Sequence, residues 1–391
     1  MRMTTAPDRL LPLRARDPEE SGRAASTLEL FFDLVFVVAV STAGVQLHHA
    51  LSEGHVAAGI GSYLMIFFAI WWAWMNFTWF ATSFDSDDWL YRVLTFVQMA
   101  GVLVLAAGIG PAFEDADFRL VIIAYVVMRL AMVAQWVRAS FAEGMRRTAL
   151  TYAVGIGVVQ VAWLLALPVP RDLWVVVMVV LVLAELSVPV IAERDVRTPW
   201  HPHHITERYG SFTLIVLGES LLASANAIIA AFGHAEDLRP LIALALLALI
   251  VTAALWWIYF WPPHHTAIRS LRSSLTYGYG HYLIFAAAGA FSAGISAEVD
   301  VLLGDSELDP TLVSFAYTIP IAVFVLGIWA LALRRHGDRW VNTGVPLGAL
   351  LVLVDPLIPV PFAITAVVLI AVVVLLVLRR PRPAEEVLAE G

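Results

Sequence analysis

The chain has 391 residues, 60% hydrophobic and 14% charged, with a net charge of −8 and a mean hydropathy of +0.80. A soluble domain averages about 45–50% apolar and about 25% charged residues. This composition therefore excludes a soluble enzyme, a disordered chain and a nucleic-acid binder, and leaves an all-α polytopic membrane protein whose first partner is the lipid bilayer.

Residues 1–25 read as a charged N-terminal tail. The first apolar run, 27–49, opens Glu29-Leu-Phe-Phe-Asp33-Leu-Val-Phe. Both carboxylates interrupt its start and the run is long, so it reads as a retained helix and not a cleaved signal. Glu29 and Asp33 are spaced i,i+4 and share a helix face, with Asp33 roughly 10 Å inside the span. The second run, 57–82, contains Trp71, Trp72, Trp74 and Trp79, which are expected to form an aromatic belt and packing surface. Runs at 90–110, 119–138, 148–167 and 172–192 follow, with Arg129 near the centre of the fourth and Glu185 in the sixth.

His201, His203 and His204 then precede Glu207. His203 or His204 with Glu207 has i,i+4 or i,i+3 spacing, which can ligate a metal on a helix. An interfacial loop using histidine at the headgroup level is the favoured reading. The seventh run, 209–232, places Glu219 near its centre within Leu217-Gly-Glu-Ser-Leu221. Gly218 is expected to admit a neighbouring helix and Ser220 to hydrogen-bond the carboxylate. Arg208, Phe212, Ile215 and Glu219 fall on one helical stripe. The remaining runs are 240–261, with His264 and His265 after it, then 276–298, 310–333, 341–358 and 360–378. Pro356, Pro359 and Pro361 divide the last apolar stretch into two short spans, with Asp355 just before them. Residues 381–391 are a second charged tail.

Arginine supports the count of twelve. All 24 basic residues are arginine and there is no cysteine, which excludes disulfides, thiolate metal sites, cysteine nucleophiles and lysine Schiff bases. With twelve spans, 20 arginines fall on the side of the N-terminus, only Arg119, Arg171 and Arg239 fall on the other, and Arg129 lies within a span. The positive-inside rule then places both termini in the cytoplasm. The opposite loops are acidic, with Glu114, Asp115 and Asp117, Glu236 and Asp237, and Asp300, Asp305, Glu307 and Asp309. They read as solvated loops.

Similar features recur in order in both halves: a carboxylate at the entrance of spans 1 and 7, Trp71-Trp72 against Trp256-Trp257, and Tyr125 and Trp136 against Tyr317 and Trp329. This predicts a parallel duplication of six-helix repeats, 26–196 and 197–380, of the kind found in transporters.

Six ionisable residues fall within or at the edge of spans: Glu29, Asp33, Arg129, Glu185, Glu219 and Asp355. A charge at mid-bilayer costs about 2.5–3.5 kcal/mol even on insertion scales. Five carboxylates facing one arginine cannot all stay ionised in a low dielectric, so some must be protonated, hydrated or bound to cations. Glu219 is expected as a central proton or cation site, Arg129 as its counter-charge or an anion-substrate contact, and Asp33 with Glu207 as the entrance.

Two motifs, Glu29-Leu-Phe-Phe-Asp33-Leu-Val-Phe-Val37 and His204-Ile-Thr-Glu207-Arg-Tyr-Gly210 running on to Ile215-Val-Leu-Gly-Glu219-Ser220, resemble the bacterial low temperature requirement protein A family. The likeness extends over about residues 25–380. It departs after the second tryptophan pair, where Trp261-Pro262-Pro263-His264 stands in place of an acidic residue. The resemblance implies a multi-pass protein of the bacterial inner membrane linked to growth in the cold. It supplies neither a substrate nor a catalytic residue. No phosphate loop, nucleophile elbow or zinc-protease motif is present, and no cofactor is expected. A proton- or cation-coupled transporter of a small molecule is the first expectation. A lipid-acting enzyme using His203, His204 and Glu207, or a sensor or scaffold with structural charges, are the alternatives.

Overall fold

A computed structural model describes residues 13–20, 22–85, 87–231, 238–306, 308–358, 360 and 362–389. Glu236, Asp237, Glu307, Pro359, Pro361 and the first twelve residues lie outside these. The main helices are α1 (Thr27–Ser52), α2 (Val56–Ser83), α3 (Trp89–Ala107), α4 (Arg119–Ala139), α5 (Arg146–Ala166) and α6 (Arg171–Ala192). They continue with α7 (Pro202–Ala231), α8 (Arg239–Phe260), α9 (Leu271–Leu303), α10 (Pro310–His336), α11 (Arg339–Val352) and α12 (Ala363–Leu378).

Each expected span corresponds to one of these helices. Among the described residues, ten helices are long and apolar enough to cross a membrane. The other two are α7, which carries the charged motif, and the shorter apolar α12. The protein is an all-α polytopic membrane protein.

Local chemistry sets the helix starts. Ser26 and Glu29 form a capping box on α1: the Ser26 amide donates to Glu29 Oε2 at 2.7 Å and the Glu29 amide to Ser26 Oγ at 3.2 Å. Asp88 caps α3, Ser270 and Ser273 box α9, Asp309 caps α10 and Asp338 caps α11. Pro202 opens α7, where its missing N–H costs nothing.

The chain divides into two compact units, Met1–Ala39 with Ala69–Arg208, and Val40–Phe68 with Tyr209–Gly391. In the first, α3 packs on α4, α4 on α5 and α5 on α6. In the second, α9 lies along α10, α10 against α11, α11 against α12, and α12 returns to α8. Polarity is arranged for a hydrocarbon solvent. On α5, Val154, Val158, Val161 and Leu165 recur on one exposed face, whereas Thr148, Tyr152, Gln160 and Trp163 are buried. Polar side chains point inward because lipid offers them no partner.

Three boundaries differ from the sequence reading. The helix α7 begins at Pro202, so His203, His204, Glu207 and Arg208 lie on a helix and not in a loop. The helix α9 runs to Leu303, taking Asp300 out of the expected loop. Part of the N-terminal tail is docked. Arg14 and Ala15 pair antiparallel with Asp85 and Phe84, the Arg16 amide donates to Ser83 O at 3.0 Å, and Arg23 Nη2 donates to Ala81 O at 2.8 Å.

Candidate functional site

Two i,i+4 pairs face each other in the first unit. On α1 stand Glu29 and Asp33; on α7 stand His204 and Arg208. Arg208 donates from Nε and Nη2 to the two oxygens of Asp33, at 2.9 and 2.5 Å. Trp74 of α2 adds an indole donor to Asp33 Oδ1 at 2.7 Å. Glu29 Oε1 lies 3.2 Å from Arg208 Nη1 and 3.3 Å from His204 Nε2, within ion-pair range though not aligned for hydrogen bonds. All four charged or titratable groups are buried. The planar guanidinium fork matches the carboxylate and spends itself on it.

Glu207 does not join Asp33. It is exposed, and its Oε1 accepts from the Ala25 amide at 3.3 Å. Adjacent residues on a helix point about 100° apart, so the partner of Asp33 is Arg208. The same geometry separates the expected metal ligands: His203 and Glu207 are exposed, while His204 is buried against Glu29. Among the described residues, no three His, Asp or Glu side chains converge as a metal site would require.

Arg129 has a counter-charge other than the one expected. Its Nη2 donates to Glu185 Oε2 at 3.2 Å, because α4 and α6 both pack on α5 within the first unit. Glu185 also accepts from Trp72 Nε1 at 2.9 Å, Gln160 Nε2 at 2.8 Å and Trp163 Nε1 at 3.3 Å. Trp72 and Trp74 are fully buried, not belt residues. They stand two apart on α2, and each indole N–H serves a different carboxylate.

The second unit holds the remaining acids. Asp355 closes the start of α12. It accepts from Tyr317 Oη (2.8 Å), the amides of Phe362 (3.1 Å), Ile364 (2.8 Å) and Thr365 (3.2 Å), and Thr365 Oγ1 (3.0 Å). A carboxylate at a helix N-terminus needs no further cation. Glu219 is half-buried, with the Ser41 hydroxyl as its polar neighbour. Ser220 does not bond it; its hydroxyl meets Leu217 O at 2.7 Å and Thr252 Oγ1 at 3.0 Å. A Cβ on Gly218 would meet nothing within 4 Å, so no neighbour packs there among the described residues. Glu298, the last residue of the expected ninth span but not among the six ionisable residues read there, is buried and accepts from Ser314 Oγ at 3.3 Å.

His264 belongs to a ring with Tyr259, Tyr277 and His281. A carbonyl can only accept, so His264 Nε2–H donates to Tyr259 O (2.6 Å) and His281 Nδ1–H to Tyr277 O (2.7 Å). The other ring nitrogens then accept, from Tyr277 Oη (3.1 Å) and Tyr259 Oη (3.1 Å). This arrangement fixes one tautomer for each neutral ring. Burial pushes the His264 value down to about 4.

An apolar groove of about 550 Å³ lies in the second unit, lined by residues such as Leu51, Ile60, Leu64, Leu283, Leu312 and Ile319. Its Tyr63 hydroxyl is spent on Ala286 O at 2.8 Å.

The family profile of the bacterial low temperature requirement A protein (LtrA) matches residues 24–378. An uncharacterized protein of Rhizobium meliloti (strain 1021) is 28% identical over 248 residues, which cover 60% of this chain and 58% of that protein. The match therefore spans less than two thirds of the relative's length.

Proposed function

The chain belongs to the bacterial low temperature requirement A family, and on that premise we propose that it is a proton- or cation-coupled transporter of the bacterial inner membrane. The arginine distribution supports cytoplasmic placement of both termini.

One contrast carries this reading. The buried acids within the spans of the first unit are neutralised: Asp33 and Glu29 by Arg208, Glu185 by Arg129, while Glu193, just past the end of α6, is held by Tyr152 and Thr198. Glu219 sits within a helix on a hydroxyl partner, and among the described residues no arginine or histidine pairs with it. A half-buried carboxylate without a cation changes its charge at far lower cost than one locked in a fork. It is the group suited to take up and release a proton or small cation, whereas the Asp33–Arg208 and Arg129–Glu185 pairs hold the first unit together. A lipid-acting enzyme would need a nucleophile or metal-ligand set on the apolar groove, whose lining is hydrocarbon.

The test is ion-driven flux in proteoliposomes. Glu219→Gln keeps size and hydrogen bonding and removes the titration, so coupled proton uptake is expected to vanish while the protein stays folded. Wild-type flux in this variant would overturn the proposal.

A further inference from the structure

Along the second half of α1, Ser41, Gly44, His48 and Ser52 recur at spacings of three and four and share one face. Along α9, Ser292, Ser296 and Asp300 recur every four residues. The two faces meet within the second unit. A Cβ on Gly44 would stand 3.0 Å from Ser292 Oγ and 3.6 Å from Gly289 O, so the backbones approach closely there. At one end, the Ser41 hydroxyl neighbours Glu219. At the other, His48 Nε2 lies 2.6 Å from Asp300 Oδ2, and Ser52 Oγ donates to the same oxygen at 3.2 Å. Between them Ser292 is buried and its hydroxyl donates to Gly289 O at 2.7 Å, and Ser296 donates to Ser292 O at 3.3 Å. The His48 and Asp300 side chains keep 17% and 26% of their surface exposed.

Close packing alone asks for small side chains. It does not ask for a carboxylate at one end of the contact and a histidine–aspartate pair at the other. From Ser41 to His48 is two helical turns, about 10 Å, with a hydroxyl or glycine at each intervening turn.

We propose that this seam is a proton path linking Glu219 to the α1–α2 turn, with His48 and Asp300 as its terminal exchange pair. The proposal rests on the reading of Glu219 as the coupling carboxylate. His48 takes a proton from the aqueous side. Each hydroxyl then turns from its backbone carbonyl, accepts a proton on a lone pair and gives up its own to a bridging water, which spans the one-turn step of about 5 Å to the next hydroxyl. The Glu219 carboxylate receives the proton and becomes neutral, and the reverse sequence discharges it.

The experiment follows hydrogen–deuterium exchange of the Glu219 carboxyl by infrared spectroscopy of the reconstituted full chain. At a pH that protonates it, its C=O band is identified by its absence in Glu219→Gln. On transfer to deuterated buffer the band shifts to lower frequency. Ser292→Ala removes a middle link, and His48→Gln removes the terminal acceptor. Each is expected to slow the shift on the order of 10²-fold, with Ser292→Thr restoring it. If both variants exchange at the wild-type rate, the seam is not the path, although Glu219 can still be the coupling site. If Glu219→Gln transports like wild type, the coupling reading falls, and this inference with it.

Discussion

Arg208 and Asp33, 175 residues apart in sequence, are joined by two parallel hydrogen bonds of 2.9 and 2.5 Å in a fully buried site. Removing either partner strands a charge out of water, a loss of about 3–5 kcal/mol. Asp33→Asn and Arg208→Lys are each expected to lower the unfolding temperature in detergent strongly. The apolar double replacement Asp33→Leu with Arg208→Met is expected to cost less than the sum. Additive losses would mean that the pair is not coupled.

Trp72 and Trp74 are expected to act through their N–H groups as well as their area. Trp74→Phe keeps a buried aromatic ring, removes the pyrrole half and withdraws one donor from Asp33, and Trp72→Phe does the same to Glu185. Each is expected to cost about 1–3 kcal/mol, measured by thermal unfolding. Unchanged stability in both variants would return the tryptophans to simple packing.

Asp355 organises a helix start, so its replacement is expected to act locally. In Asp355→Ala, the amides of Ile364 and Thr365 lose their acceptor and are expected to exchange hydrogen faster while α3–α6 keep their protection. Asp355→Asn, which retains one acceptor oxygen, is expected to fall between. Uniform loss of protection would mean that the cap supports the whole chain.

His264 makes stability pH-dependent in a defined direction. Its folded value, about 4, lies below the ordinary 6.5. As pH falls below about 6.5, the unfolded chain takes up a proton that the folded chain refuses. Stability is therefore fully present above that point and declines until about pH 4, by an amount on the order of 3 kcal/mol. Protonation would turn His264 Nδ1 into a donor facing the Tyr277 hydroxyl and would find His265 and His336 nearby as further positive charge. Unfolding temperatures measured across this window are expected to fall less in His264→Gln than in the wild type.

The spans were legible in the sequence because an apolar run of bilayer length has few other uses, and charges inside such runs stand out. Glu29, Asp33, Arg129 and Glu219 were found that way. Partnership was not legible. Nothing in the spacing ties Arg129 to Glu185 instead of Glu219, because that depends on which helices share a unit. One signal was readable. The i,i+4 acids of α1 have a complementary i,i+4 pair, His204 and Arg208, but the histidines drew attention to Glu207 and to metal chemistry. Tryptophan misled because a belt and a buried donor have the same composition. Glu298 was overlooked because it stands at the last position of the expected span, beside an acidic loop; Gly304, at φ 77°, closes the helix beyond it and leaves Glu298 inside.

The central claim is that Glu219 carries the coupled charge while the arginine-paired acids do not. Its most direct measurement is proton uptake into proteoliposomes under an imposed potential, comparing wild type, Glu219→Gln and Glu185→Gln. The account expects no uptake above empty vesicles for Glu219→Gln, and residual uptake by whatever fraction of Glu185→Gln remains folded. Uptake at the wild-type rate in Glu219→Gln would contradict it.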